Sequence, residues 1–273
     1  MDSLLDRYRM SGFGNGYLTV RAIKRQIDGA LGSNGAWLLE PYADLPRSTG
    51  LALEQPESLE RVAAIARKHG FQLATHAIGD RANREALDAF ETTRDVWAPL
   101  GLRHRIEHAQ CLAPEDVGRF ASLGVACSVQ FSHAPSDRDL AERFWPQQVD
   151  GSYAFRSLWD SGALVANGSD APVEELDPLA GILAGVRRTI DDRPAWRPDQ
   201  CLTLEQTLKA TIVNPAWLSR DERRRGRLVP GMLADLVVLS RDPLDCPGEE
   251  LETIEVVATM VDGRWVHNPP PWD

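Results

Sequence analysis

Three side chains able to hold a metal ion occupy equivalent places along the chain. His76 ends the strand-like run FQLATH, His108 ends LRHRIEH, and Asp170 closes ALVANGSD; a loop follows each. Two imidazoles and a carboxylate meeting at one point form a divalent-metal site, because Zn²⁺ takes nitrogen and oxygen ligands and keeps a position for water. Singly, each would read as a hydrogen-bonded or capping residue; their recurrence at three strand ends favours the metal reading. Of the other histidines, His69 suits a helix C-terminus, where an imidazolium meets the dipole favourably, and His267 lies in the tail.

Three further features invite a chemical reading. His104-Arg105-Ile106-Glu107-His108 matches HxxEH, a zinc-peptidase pattern that needs a helix to bring positions i and i+4 onto one face. Leu102, His104, Ile106 and His108 instead alternate with Arg103, Arg105 and Glu107, which predicts a strand. The two histidines would then stand about 13 Å apart, too far to share one ion. Lys24, in LTVRAIKRQIDGALGS, sits where a strand should end and could carry a carbamate bridging metals; an exposed charge on a surface strand is the plainer alternative. GFGNG at residues 12–16 lacks the flanking strand and helix of a dinucleotide loop and reads as a turn.

The elements that must position these residues alternate. Strand-like runs at Phe71–His76, Leu102–Ile106, Val125–Val129 and Ala163–Ala166 are interleaved with helical patterns. The helices run from Ser58 to His69, with Ser58 as cap and Gly70 as stop, and from Arg81 to Thr92, capped by Asp80. Others run from Pro114 to Gly124 and Ala154 to Asp160, then at about Pro178–Ile190 and Leu204–Ile212. Repeated β-then-α units predict parallel strands with crossover helices. Polar residues gather past the C-terminal strand ends, His76, His108, Gln130 to His133 and Asp170, where β/α barrels and open doubly wound sheets alike hold their ligands. After residue 218 the character changes: an Arg-rich stretch leads to a strand at Ala234–Leu239 and a hairpin over Ile254–Val266 turning at Asp262-Gly263. The expected division is residues 1–218 as the α/β part and 219–273 as a small β appendage ending in a proline tract at 269–271.

Composition narrows the function class. A net charge of −10 argues against nucleic acid, whose binding needs Lys and Arg on phosphates. No apolar run approaches the roughly 20 residues of a membrane helix, and no signal peptide is visible at the N-terminus. Cys111, Cys127, Cys201 and Cys246 form no CxxC and read as reduced thiols of a cytoplasmic protein.

The runs IKRQIDGALGSNGAWLLEPYAD, THAIGDRAN, RIEHAQ, SVQFSHAPSD, NGSDAPVEELDP and GRLVPGMLADLVVL together resemble the amidohydrolase superfamily, nearest its N-substituted formamide deformylase-like branch. The resemblance implies part of a TIM-type β/α barrel with a small C-terminal β-sandwich, and hydrolysis of a non-peptide C–N bond in a small amide by metal-activated water. It implies His76 and His108 as metal ligands and Asp170 as metal ligand, general base and acid. Lys24 matches the bridging position, Gln130 and His133 line the substrate pocket, and zinc is the expected ion. The family's HxH pair has no counterpart here and family members are about twice as long, so a separate N-terminal half or a homodimer is the expected partner. Two alternatives stay open at this point, a zinc peptidase through HxxEH and a non-catalytic α/β interaction module.

Overall fold

The computed structural model describes residues 19–246 and 250–269, so the GFGNG run and all but the first residue of the proline tract lie outside the description. Strands β1 (Ala22–Gln26), β2 (Gln72–Ala77), β3 (Arg105–His108), β4 (Ala126–Val129) and β5 (Val165–Asn167) form one parallel sheet in chain order. Parallel neighbours need long crossovers, and these carry α1 (Pro56–His69), α2 (Asp80–Thr92), α3 (Pro114–Leu123), α4 (His133–Phe144) and α5 (Phe155–Asp160). The strands send Leu73, Ile106, Cys127 and Val165 into the helix layer, where they share one buried cluster with Ala86, Phe90, Phe120 and Leu158.

Local chemistry explains the helix bounds, including three that differ from expectation. Helix α1 buries Leu59, Val62, Ala63 and Ala66 on one face and stops at Gly70, whose φ of 73° suits glycine. It starts at Pro56, not Ser58, because proline's fixed φ and missing N–H fit a first turn. Asp80 is the first residue of α2 and not its cap; its carboxylate accepts N–H bonds from Leu39 (2.8 Å) and Arg81 (2.9 Å), tying the β1–α1 connection to α2. Helix α4 has no clear sequence signal, because Pro135 lies within it; the proline falls in the first turn, where its absent N–H is no loss.

Helices α6 (Pro178–Arg187), α7 (Leu204–Leu208) and α8 (Asn214–Leu218) follow β5, the last two joined by a π-helical turn over Lys209–Val213. The end of α8 lies at the N-terminal ends of the strands. Gln72, which opens β2, donates to the Leu218 carbonyl (3.2 Å), and the Arg103 guanidinium lies 4.1 Å from the Trp217 ring centre. The opposite ends of the strands are left to the βα loops. Among the described residues β1 and β5 are the edges of the sheet, so the described part is a five-stranded parallel sheet.

The chain finishes in an antiparallel sheet of β6 (Leu236–Leu239), β7 (Val256–Val261) and β8 (Arg264–His267). The β7–β8 turn is at Asp262 and Gly263, both with positive φ (51° and 74°), as a two-residue hairpin requires. The Arg-rich stretch before it is ordered by acids: Arg103 pairs with Glu222 (2.7 Å), and Arg21 with Asp221 (3.5 Å). No helix among the described residues is long and apolar enough to cross a membrane.

Candidate metal centre

The sheet register builds the site from below. Lys24, Ala74, Arg105 and Ala126 form one row across the strands, and Gln26, His76, Glu107 and Ser128 form the row above it. Lys24 therefore lies mid-strand and two residues short of the β1 end, not at the end as expected. It is exposed on this open face, and its ammonium is less basic than an ordinary lysine. Desolvation is the main cause, reinforced by Arg105 and opposed by Glu107 and Asp170. Burial pushes the Glu107 carboxyl up, but Arg105, a hydrogen bond from Ser128 and the Lys24 charge outweigh it, and the net shift is downward.

His108 enters the site through a break in strand geometry. By the two-residue period it would follow Ile106 into the helix layer, but its φ is 78°. Its ring instead lies 4.6 Å from that of His76 and 6.1 Å from that of His133, to which it is nearly parallel at 12°. Its Nδ1–H donates to Gln130 Oε1 (2.8 Å), which leaves Nε2 with its lone pair. Burial first and the neighbouring His76 second lower its pKa to about 4, so it is neutral at pH 7, the form that binds a metal.

His133, the first residue of α4, points its Nε2 at Asp170 Oδ2, 3.9 Å away. That nitrogen is buried and has no hydrogen-bond partner among the described residues. Its Nδ1 lies 2.9 Å from the Gln110 amide nitrogen, while Gln110 Oε1 is buried without a partner. A half-turn of that amide, which alters no shape, lets Oε1 accept an Nδ1–H and frees Nε2 as a ligand. Asp170, three residues past β5 with φ 57°, completes the group: one ligand atom from each of His108, His133 and Asp170 fits within 4.8 Å of the others. Two imidazole nitrogens and a carboxylate oxygen that are mutually close and not otherwise used are a donor set suited to a divalent ion.

The six residues singled out from the sequence thus occupy one face of the sheet or its C-terminal edge. His108, Asp170, Gln130 and His133 are joined by the contacts above, and His76 reaches them through the His108 ring. The structure adds two residues. Gln110 lies two positions past His108 in the run RIEHAQ. Asp28 lies just past β1; it is fully buried and has Oδ1 3.3 Å from His76 Nε2. The only trace of Asp28 in the sequence is an acid before glycine directly after a strand.

The peptidase reading of HxxEH fails on geometry. Residues 105–108 are a strand, and His104 is fully buried between Phe90 (5.2 Å, stacked) and Trp97 (4.8 Å). Its Nδ1 accepts the Leu73 N–H (2.9 Å), so it is a core residue of the helix layer.

Comparison with known proteins follows the same lines. A family model described as the amidohydrolase family matches residues 2–267. The chain is 37% identical over 254 residues to Protein LONG AFTER FAR-RED 3 of Arabidopsis thaliana, covering 92% of this chain and 43% of that one. It is 30% identical over 204 residues to N-substituted formamide deformylase of Arthrobacter pascens, covering 74% of this chain and 38% of that one. An uncharacterized metal-dependent hydrolase from Pyrococcus horikoshii OT3 superposes with a TM-score of 0.79 at 32% identity, over 91% of this chain and 50% of that structure. The chain spans half or less of the length of each of these relatives.

Proposed function

The chain belongs to the amidohydrolase family, and from that premise we propose that it carries metal-binding and proton-transfer residues of a hydrolase acting on a non-peptide C–N bond, of the amide or formamide type. The observation that carries this reading is the convergence of His108, His133 and Asp170 ligand atoms within 4.8 Å at the C-terminal ends of parallel strands. A divalent ion there, zinc by the choice of donors, would lower the pKa of water and polarise the substrate carbonyl. Asp170, whose carboxylate is 38% exposed, takes the proton from the attacking water and returns it to the leaving nitrogen. His76 joins the ligand set beside His108. Gln130 orients His108, and with His133 it would line the substrate pocket. The lowered basicity of Lys24 favours the free amine that a bridging carbamate needs.

Residues 1–218 would form part of a β/α barrel and 219–273 its β appendage, with an N-terminal half or a second copy completing the barrel mouth. Four free cysteines suit a cytoplasmic location.

Elemental analysis after dialysis against a mild chelator tests the metal centre. Weak, substoichiometric zinc is expected of this chain alone, lost in a His108→Ala, Asp170→Asn double variant. Retention of two tight ions would contradict a centre lacking HxH, and no zinc at any concentration would favour a non-catalytic interaction module. The activity test is turnover of small N-formyl and N-acyl amines by the chain combined with an N-terminal half. Asp170→Asn should then lower kcat by about 10²–10⁴-fold. An unchanged kcat would remove Asp170 from the proton-transfer role.

A further inference from the structure

Asp28 sits where the loops after β1 and β2 meet and is 0% exposed. Its Oδ2 accepts the Trp37 N–H (2.9 Å) and the Gly79 N–H (2.8 Å), and its Oδ1 accepts the Ile78 N–H (3.0 Å). Three backbone donors from two connections fix the carboxylate, and its remaining approach is to the His76 ring, Oδ1 to Nε2 3.3 Å. His76 Nε2 is itself buried and meets no hydrogen-bond partner at a favourable angle. An unprotonated nitrogen there would face a buried carboxylate oxygen lone pair to lone pair, which is repulsive; a proton on Nε2 turns the same approach into attraction.

We propose that Asp28 is the positioning residue of His76: it holds the imidazole proton on Nε2 and so leaves Nδ1 as the nitrogen free to bind a metal. His108 is arranged in the opposite sense, with Nδ1 committed to Gln130 and Nε2 free. The two adjacent rings therefore offer different nitrogens, each set by an oxygen on its other side, the arrangement by which outer groups orient metal-bound histidines. Asp28 also ties this choice to the backbone of Trp37, Ile78 and Gly79, so the loops after β1 and β2 and the ring of His76 are held by one carboxylate. The metal-related part of the proposal rests on the metal centre proposed above; the Asp28–His76 pairing does not.

Two measurements on the full chain test it. Nitrogen-15 NMR of the histidine side chains, with His76 assigned by its loss in His76→Gln, should show His76 protonated at Nε2 in the wild type and at a mixture of positions in Asp28→Asn. A wild-type His76 protonated at Nδ1 overturns the proposal without any variant. Zinc titration against a chromophoric chelator should show Asp28→Asn weakening binding about 10–100-fold, with the loss largely absent when the substitution is made in His76→Ala. An equal loss in both backgrounds means Asp28 only supports the loops, and overturns the positioning role. A wild type that shows the Nε2 proton but binds no zinc upholds the pairing and removes the metal centre.

Discussion

His104 shows how one side chain can link the core to pH. It is buried against Phe90 and Trp97, and burial lowers its pKa to about 3. In the unfolded chain it titrates near 6.5. Between those values the unfolded state binds more protons than the folded one, so stability falls as pH drops from about 6.5 toward 3. His108, lowered to about 4, acts in the same direction. Urea unfolding is therefore expected to give a lower midpoint at pH 5 than at pH 7, with His104 contributing on the order of 2 kcal/mol. His104→Phe should remove that share of the pH dependence and lower stability at pH 7 by about 1–3 kcal/mol, because the Leu73 N–H loses its buried acceptor. Equal midpoints at the two pH values in the wild type would contradict a neutral, buried His104.

Two glycines report on how the elements meet. At Gly79, between β2 and α2, an added Cβ would fall 2.0 Å from the Trp37 carbonyl oxygen. The clash is with backbone, which cannot swing aside as a side chain can. Gly79→Ala is thus expected to part the β1 and β2 loops around Asp28 and to cost about 1–3 kcal/mol or more, read as a lowered Tm together with weaker zinc binding. Gly118 is the counter-case. It lies exposed within α3, has ordinary helical φ, and an added Cβ would meet nothing within 4 Å. Gly118→Ala should raise stability by about 0.4–1 kcal/mol by reducing the freedom of the unfolded chain. A destabilised Gly118→Ala or an unaffected Gly79→Ala would show that the packing differs from that described.

The whole sheet has two edges among the described residues, β1 and β5. Edge strands carry unpaired backbone N–H and C=O groups and invite pairing with another chain. The exposed Lys24 and the Arg25–Glu54 pair on β1 moderate that tendency with charge but do not satisfy the backbone. Sedimentation of the isolated chain is expected to show concentration-dependent association. A concentration-independent 30.2 kDa monomer would mean that the edges are already covered.

Much of the fold was legible in the sequence because it follows from local rules. The β-then-α alternation, the Gly70 and Gly124 stops and the Asp262-Gly263 hairpin are decided within a few residues by periodicity and allowed φ. The placement of His76, His108 and Asp170 toward one edge follows from the same alternation, since parallel strands joined by crossovers point their ends the same way. Tertiary structure decided what depends on distant partners. His108 faces its neighbours through a left-handed φ that its own type does not demand. Asp28 meets His76 across 47 intervening positions because β1 pairs with β2 in one register. His133 joins His108 and Asp170 because α4 begins at that residue despite Pro135. Each of these is a contact between separate strands, loops or helix ends, and such contacts are selected by the packing of the sheet as a whole, which no short window of the sequence contains.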